Sequence, residues 1–541
     1  MYNNSEKDSH ITTVDIELAL KCLKSNKSDG VCPFLSEHFL KAPKAMYTHI
    51  AQLFSAWLSH GYIPQFILLS TLIPLIKDRI GDKSDLNNYR AIALCALLMK
   101  LFDLVILNIH SQSLKSSDWQ FAYKAHSSTT QCTWVAREIV SYYNNNGSPV
   151  YACLLDCSKA FDKIRYDTLF NKLLSRGLSP IIVRALFHVY QNSTSQVRWN
   201  NALSDSFDVS NGVRQGAILS PILFNIYMDE LIMQLRAEGY GCWQGSQYFG
   251  ALVYADDIML LAPSLTSLQK MLDVCSNFGN TTGLSFNPKK SICIHFHASV
   301  NCLKEQPEFN VHLGSNTLKW NQKVKHLGHT VTCCLNFDLD VQFRKGKFIS
   351  CVNNILTEFG FAHPDCKIQL IKTYGSSFYG APLWNLYGYG TKKLYTTWNI
   401  AMRKLLDLPY QTHTRFLDVI SGLQHVKLSL KLRFLRFINS LLKSTNPLIN
   451  QLCHYSLMDN MSPTGYNLGN LLHEFNITVP ASFVEVLSKL STEIQTYKMC
   501  SNDDMVLCSV LKELIDCKYG TSYCGLNASD IIYMITDIAV N

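Results

Sequence analysis

The chain has 541 residues and a formal charge of +8, from 49 Lys and Arg against 41 Asp and Glu. Apolar residues make up 47% and charged residues 17% of the sequence, which excludes a mainly disordered protein. Its 26 glycines and 16 prolines are too few for a collagen-like or low-complexity chain.

The first predicted element is an amphipathic helix in residues 14–30. Acidic residues lie early in it and lysines late, which suits the helix dipole, and Asp29 and Gly30 are expected to end it. From residue 65 to 335, short apolar runs alternate with helical patterns. This alternation favours an α+β or α/β fold over an all-helical one.

The most apolar stretch of the sequence is 91–109. It contains Lys100 and Asp103, so we predict a core helix there instead of a membrane span. The polar amino terminus shows no signal peptide, and the 19 cysteines include no zinc-knuckle spacing. We therefore expect an intracellular protein, cytoplasmic or nuclear, that is neither secreted nor bound to a membrane.

Two segments combine strand-like runs with carboxylates. In YACLLDCSKAFD (151–162), an apolar run ends at Asp156, and Phe161 follows at the start of helical material. In FGALVYADDIMLLAP (249–263), two apolar runs flank a tight turn, which predicts a β-hairpin that presents Asp256 and Asp257.

Paired carboxylates at a hairpin tip are costly in an apolar setting unless a cation neutralises them. A third carboxylate, Asp156, at the end of another strand would complete an oxygen-rich site for a hard divalent ion such as Mg²⁺. Two such ions, about 3.5–4 Å apart, clamp the attacking and leaving oxygens of a phosphoryl transfer. The three aspartates therefore predict polymerase chemistry.

A third segment, NGVRQGAILSPILFNIYMDEL (211–231), lies between these two. Gly212 and Gly216 flank Arg214 and Gln215, and the Ser-Pro step at 220–221 predicts a helix that begins with serine as its cap. By itself such a turn is more often an ordinary loop. Its position between the two carboxylate segments makes a chance combination very unlikely.

Taken together, these motifs resemble the reverse transcriptase of non-LTR, LINE-type retrotransposons. Other segments share the resemblance: 23–34, 72–78, 88–103, 119–131, 283–291 and 324–329. It covers about residues 15–335 and, more loosely, a basic region after them. The resemblance implies a right-hand polymerase with four parts: fingers with an amino-terminal helix (1–150), a palm of antiparallel sheet and helices (151–335), a basic helical thumb (336–443) and an acidic region of unknown role (444–541).

The resemblance also implies a catalytic centre. Asp156, Asp256 and Asp257 are expected to bind two Mg²⁺ ions, with Mn²⁺ as a substitute, while a primer 3′-hydroxyl attacks the α-phosphate of a dNTP. Lys290 is expected to act as general acid for the pyrophosphate, although Lys289 beside it is an equal alternative.

Further residues are implied to contact the substrate. Phe161 occupies the place of an aromatic ring that rejects a ribose 2′-hydroxyl, with plain core packing as the alternative. Gln215 and Gly216 are expected to line the nucleotide and template path. Lys77 and Arg90 resemble the triphosphate contacts of the fingers, with solvated surface cations as the alternative.

Charge along the chain points to the template site. Residues 341–443 carry 15 Lys and Arg against 4 Asp and Glu, a net charge of +11, whereas residues 444–541 carry −6. Within a helix predicted at 426–443, the candidate RNA contacts are Lys431, Arg433 and Arg436. The acidic tail is expected to pack on the basic segment, to occlude it, or to be an unrelated extension.

The predicted function is RNA-directed DNA synthesis, with an RNA template, a DNA primer and dNTPs as partners. We expect a protein derived from a LINE-type element that lacks the element's endonuclease. The alternatives are a polymerase that makes RNA on RNA and an inactive nucleic-acid-binding remnant. Phe161 and the intact aspartates favour the first interpretation over these two.

Overall fold

The computed structural model describes residues 9–30, 32, 34–298, 310–477 and 483–496, together with 505, 509, 511 and 512. The chain divides into two compact units. The first is built from segments 1–127, 151–293 and 307–319, and the second from 128–150, 294–306 and 320–541. Helices and sheets occur together along the chain, so the predicted α+β class is confirmed.

The first unit combines helices with two main groups of strands. Its helices are α1 (Thr13–Cys22), α2 (Ser36–Leu40), α3 (Lys44–His60), α4 (Gln65–Leu68), α5 (Leu97–Ile109), α7 (Tyr166–Ser175), α8 (Pro180–Gln191), α9 (Ser220–Ala237) and α10 (Leu265–Thr282). The helix of the second unit that precedes α7 in sequence is α6 (Thr129–Asn145).

The strands of the chain are mostly short. They are β1 (Leu69–Ile76), β2 (Tyr89–Cys95), β3 (Val150–Asp156), β4 (Thr194–Trp199), β5 (Ala202–Leu203), β6 (Phe207–Asp208), β7 (Trp243–Gln244), β8 (Gln247–Tyr248), β9 (Ala251–Tyr254), β10 (Asp257–Ala262), β11 (Ile292–Phe296), β12 (His312–Leu313), β13 (Asn316–Thr317), β14 (Lys319–Trp320), β15 (Lys323–His326) and β16 (His329–Thr332).

Two sheets organise the first unit. One has the order β2-β1-β4-β5, with β1 antiparallel to β2 and parallel to β4. In the other, β10 lies between β3 and β9 and is antiparallel to both. The strands β3 and β10 are buried along most of their length, and helices α9 and α10 pack on β9 and β10. This packed sheet gives the ends of β3 and β10 a fixed position.

Two sequence-based boundaries differ from the structure. Helix α1 ends at Cys22 instead of Asp29, because the chain beyond it turns into a loop that Asp29 holds together through its bonds to the amides of Cys32 and Leu97. Residues 91–95, predicted as helix, belong to strand β2, since they pair in register with β1; only 97–109 is helical.

The second unit is mainly helical. Besides α6 it contains α11 (Asp338–Phe359), α12 (Pro364–Leu370), α13 (Tyr389–Leu405), α14 (Thr414–Ser421), α15 (Val426–Leu442), α16 (Pro447–Met458), α17 (Pro463–Glu474) and α18 (Phe483–Thr496). The helix predicted at 426–443 is confirmed as α15. Helix α6 lies in this unit, although the predicted fingers segment contains it, and the division into four parts stays a prediction.

Helix α6 is held by partners from the far end of the sequence. The Trp134 indole donates to Thr464 Oγ1 over 2.8 Å, and the buried Arg137 donates to the carbonyl of Leu383 and to Thr464. Thr464 in turn donates to Glu138 over 2.6 Å. Among the residues described, none of the helices combines the length and apolar character needed to cross a bilayer.

Candidate active site

Three aspartates meet at one end of the β3–β10–β9 sheet. Asp156 is the last residue of β3 and Asp257 the first of β10, and the two are directly opposite each other. Asp257 is also paired with Tyr254 of β9, so Asp256 lies in the two-residue turn between these strands. The predicted hairpin is therefore confirmed, and the strand pairing brings the predicted carboxylates together.

The electrostatics of this cluster disfavour negative charge. Partial burial raises the pKa of Asp256, and the Asp156 carboxylate raises it further. Asp257 reaches solvent, yet the surrounding protein still removes enough hydration to raise its pKa to about 6, with added repulsion from Asp256 and Asp156. Carboxylates held in this way gain from a nearby cation.

The donor chemistry fits a hard divalent cation, since three carboxylates supply the oxygens that Mg²⁺ prefers. Their mutual repulsion, seen in the raised pKa values of Asp256 and Asp257, is what such an ion would relieve. In the described part of the chain, no group of three or more His, Cys, Asp and Glu side chains stands in an arrangement that would hold a metal as placed.

A turn at 287–291 supports the backbone of Asp156 on both sides. The Asn287 amide donates to the Asp156 carbonyl over 2.8 Å, and the Asp156 amide donates to Ser291 Oγ over 3.2 Å. Lys289 and Lys290 occupy the middle of this turn, and both side chains are exposed. The turn thus places two lysines next to the backbone of Asp156, and both remain candidates for the general acid.

Phe161 lies in a short 3₁₀ turn (Ala160–Lys163) after β3. Its ring stacks on Phe224 of helix α9, with centroids 4.5 Å apart and planes at 8°, and meets the edge of Tyr123 at 6.5 Å. The side chain is only half-buried. One face of the ring is therefore packed, which fixes its position without enclosing it.

The glycines of the 211–217 loop are required by close backbone contacts. A Cβ at Gly212 would lie 2.8 Å from the carbonyl oxygen of Phe161, and one at Gly216, whose φ is +123°, would lie 2.5 Å from that of Ala93. The loop is bonded at the same places, because the Gly212 amide donates to Ile164 and the Ala93 amide donates to the Gln215 carbonyl over 2.7 Å. Gln215 and Gly216 are thereby held against strand β2.

The helix after this loop begins slightly differently from the prediction. Ser220 is the first residue of α9 rather than its cap, and its side chain makes no cap hydrogen bond. Its hydroxyl instead bonds the hydroxyl of Tyr190 over 3.2 Å. The Ser220 side chain is thus committed to packing between α9 and α8.

Arg214 is a buried residue of the 211–217 loop. It was not among the predicted site residues. It is 7% exposed and its guanidinium lies over the Tyr190 ring at 5.7 Å. Burial alone would lower its pKa, but nearby groups that include Cys95, Tyr190 and Asp103 raise it. Asp103 lies on α5 and is 4% exposed. Burial raises its pKa to about 6, although the charge of Arg214 opposes this rise. The two residues are buried, and their opposite charges act on each other.

Comparison with protein families supplies the deciding observation. The family described as "Reverse transcriptase (RNA-dependent DNA polymerase)" matches residues 80–331, which include all three aspartates and the 211–231 segment. Residues 80–331 are a reverse transcriptase domain.

Its relatives are polyproteins of non-LTR retrotransposons, as the motifs predicted. The chain is 26% identical over 280 residues to the Pol polyprotein of retrotransposable element R2 from Nasonia vitripennis, covering 52% of this chain and 27% of that protein. It is 24% identical over 287 residues to that of element R2DM from Drosophila melanogaster, covering 53% and 26%. It is 23% identical over 446 residues to the RNA-directed DNA polymerase of mobile element jockey from Drosophila funebris, covering 78% and 46%. The chain spans about a quarter of the length of the two R2 relatives.

Among solved structures, the chain is similar to a telomerase from Candida albicans in complex with a fragment of telomeric RNA. The similarity covers 84% of this chain and 69% of that one, at 13% identity and a TM-score of 0.38.

The two predicted triphosphate contacts, Lys77 and Arg90, have different surroundings. Arg90, exposed on β2, lies close enough to the hairpin to lower the pKa of Asp256 and that of Tyr123. Lys77, at the end of β1, donates to the carbonyl of Asn87 over 2.9 Å. The charge of Arg90 therefore acts on Asp256, whereas the Lys77 amine is bonded to the backbone of a nearby turn.

Tyr123 is a site residue that sequence reasoning missed. Its side chain is 54% exposed, and its pKa is raised by partial burial and by the charge of Asp256. It also contacts the Phe161 ring. The only signal in the sequence was an aromatic residue in the 119–131 segment.

The three candidate RNA contacts on α15 have different surroundings. Lys431 is fully buried and bonds both carboxylate oxygens of Glu474 at 2.5 Å, and Arg433 donates to the carbonyls of Ser376 and Ser377. Arg436 is exposed. A phosphate cannot reach Lys431 without displacing Glu474. RNA contact by Arg433 and by Arg436 stays a prediction. Glu474 comes from the acidic tail, which therefore packs on the basic segment at this point.

Proposed function

We propose that the reverse transcriptase domain extends a DNA primer on an RNA template with dNTPs. The observation that carries the proposal is the meeting of Asp156, Asp256 and Asp257 at the ends of paired strands. Burial and mutual repulsion raise the pKa values of two of them, so a bound cation would stabilise their charged forms.

In this proposal the three aspartates hold two Mg²⁺ ions, for which Mn²⁺ is a substitute. Bound there, the ions supply positive charge that stabilises the attacking and leaving oxygens of phosphoryl transfer. The reaction joins the primer 3′-oxygen to the α-phosphorus of the dNTP and releases pyrophosphate. Ionised Asp256 and Asp257 are needed for this role, so the active form of the hairpin is the deprotonated one.

Other side chains bind and orient the substrate. Arg90 contacts the triphosphate in this proposal, which is supported by the effect of its charge on Asp256, and Lys77 is a second candidate. Phe161, held flat against Phe224, limits the space at the sugar. Gln215 and Gly216 line the path of nucleotide and template, and Lys290 or Lys289 donates a proton to the departing pyrophosphate.

The partners in this proposal are an RNA template, a DNA primer and dNTPs, in the cytoplasm or nucleus. Template affinity is expected to be mainly electrostatic, with Arg436 as one contributor in the basic region. The origin proposed is a LINE-type element.

A primer-extension assay tests the proposal. The purified chain, a DNA primer annealed to an RNA template, and Mg²⁺ are combined with dNTPs or with rNTPs. We expect extension with dNTPs, and its loss in Asp256→Asn/Asp257→Asn with RNA binding retained. Asp162→Asn is the matched control, because Asp162 is an exposed acid beside Phe161.

Two outcomes would overturn it. Preferential use of rNTPs would make the protein an RNA polymerase. Binding of RNA without extension, in either Mg²⁺ or Mn²⁺, would make it an inactive nucleic-acid-binding remnant.

A further inference from the structure

Gln120 is a fully buried polar residue next to the hairpin that carries Asp256 and Asp257. Its side-chain carbonyl accepts the amide of Ala255 over 2.8 Å and that of Ala122 over 3.1 Å. Its side-chain amide donates to the Ala255 carbonyl over 3.4 Å. Gln120 therefore bonds both the backbone amide and the backbone carbonyl of Ala255, the residue that immediately precedes Asp256.

The segment that carries Gln120 is itself firmly held. The Phe121 amide donates to Val253 over 2.8 Å and the Val253 amide donates to Trp119 over 3.0 Å, so residues 119–121 extend the sheet along β9. The Trp119 indole donates to Tyr248, and Asn225 of α9 donates to the Ala122 carbonyl over 2.9 Å. With its own backbone anchored in this way, Gln120 is a rigid support.

The supported peptide has an unfavourable conformation. Ala255 has a φ of +57°, in the left-handed region, and is 5% exposed. That region is disfavoured for alanine and freely accessible to glycine. An alanine stays there only when its surroundings hold it, and the hydrogen bonds from Gln120 act at that residue.

We infer that Gln120 is a positioning residue, which holds Ala255 in the left-handed conformation and thereby sets the directions of the Asp256 and Asp257 carboxylates. This inference rests on the proposed function of those aspartates. Gln120 itself touches neither substrate nor metal. Its contribution is carried through the peptide at 255.

The test combines Gln120→Met with Ala255→Gly. Methionine matches glutamine in length but has no strong hydrogen-bonding group, so we expect a loss of about tenfold or more in kcat for dNTP addition, with KM for dNTP little changed. In the double variant, glycine adopts the required φ without support, and most of the lost kcat should return. A purely structural role for Gln120 gives no such rescue, because the Ala122 amide stays unpaired in both variants.

A second readout does not depend on polymerisation. Mn²⁺ alone is titrated into each variant, and the concentration that gives half the maximal rise in Tm is measured. We expect this concentration to increase about tenfold in Gln120→Met and to fall back in the double variant. Gln120→Asn, which keeps the amide but is one methylene shorter, supplies an intermediate case if the methionine variant does not fold.

Gln131→Met is the matched control. Gln131 is buried in the second unit and accepts the Ser128 amide at the start of α6, so its loss removes a comparable bond without removing one from the hairpin. Extension and Mn²⁺ response should then stay at the unmutated level. Equal kcat in Gln120→Met and the unmutated chain, or no rescue by Ala255→Gly, would overturn the inference. Absence of extension by the unmutated chain would instead overturn the proposed function, and the Mn²⁺ titration would still judge Gln120.

Discussion

Asp257 lies directly opposite Asp156 across strands β10 and β3, and the two carboxylates repel each other in the absence of a cation. The folded-state pKa of Asp257 is raised to about 6 from an ordinary value of 3.8, by burial first and by Asp256 and Asp156 second. Ionisation of Asp257 therefore weakens the metal-free fold as the pH rises from about 4 to about 6, and the penalty is complete above that range.

The first prediction follows from the loss of stability that ionisation of Asp257 causes. Asp257→Asn should stabilise the metal-free protein at pH 7 by about 1 kcal/mol once solvent screening is discounted, or about 2–4 °C in Tm. The gain should vanish below about pH 4, where both states are protonated. Thermal unfolding in EDTA from about pH 3 to about pH 8 measures it.

The control for this experiment is Asp167, whose pKa is shifted in the opposite direction to that of Asp257. Asp167 has a lowered pKa because Arg165 donates to its carboxylate, so Asp167→Asn should lose stability at neutral pH and recover as the pH falls. A pH-independent effect of Asp257→Asn would show that the repulsion within the cluster is unimportant.

The second prediction concerns the buried pair under the 211–217 loop. Asp103→Asn removes a charge that offsets Arg214, and leaving this cation unpaired should cost about 3 kcal/mol of unfolding free energy. The double variant Asp103→Asn/Arg214→Met should recover much of that loss, because no buried charge remains. Urea unfolding of the four proteins in the cycle measures the coupling. Additive losses would mean that the two charges do not interact.

The third prediction separates the two interpretations of Phe161. If its ring limits the space at the sugar, Phe161→Ala should raise the use of rNTPs relative to dNTPs by about 10–100-fold. Phe224→Leu removes the stacked partner but leaves the Phe161 ring, so it should change this ratio much less. Single-nucleotide incorporation kinetics give the ratio. Similar ratios for both variants and the unmutated chain would indicate that Phe161 is only part of the core.

The fourth prediction distinguishes RNA contact from internal ion pairing on α15. Arg436→Gln should weaken RNA binding and reduce the slope of log affinity against log salt by about 1, because one exposed cation is lost. Lys431→Met should leave that slope unchanged, since its amine is bonded to Glu474. It should lower the unfolding free energy by about 2–4 kcal/mol. Fluorescence anisotropy across salt concentrations and thermal melts provide the two measurements, and a changed slope in Lys431→Met would contradict this assignment.

Local patterns in the sequence predicted the parts of the fold that depend on near neighbours. The Asp256 hairpin and helix α15 were predicted because alternation and helical periodicity are visible within about 20 residues. Residues 91–95 were assigned to helix because a short apolar run has no period of its own, and only pairing with β1 makes it a strand.

The remaining features depend on distant partners. The role inferred for Gln120 depends on its hydrogen bonds to Ala255, 135 residues away. The burial of Lys431 depends on its bond to Glu474, 43 residues away. Lys431, Leu430 and Leu432 are all buried, so α15 is buried on more than one face. The sequence alone does not show that the Lys431 side chain points inward, because lysine is usually exposed. The motif residues could be recognised in the sequence, whereas the side chains that support them could not.

The contacts of helix α6 have a consequence for protein synthesis. Its residues Trp134 and Glu138 emerge from the ribosome about 330 residues before Thr464, their buried partner. At typical bacterial or eukaryotic elongation rates of about 5–20 residues per second, the interval is roughly 15–65 s. Throughout that time the apolar face of α6 lacks these final contacts, so a nascent chain that stalls before residue 464 should be a substrate for chaperones and proteases.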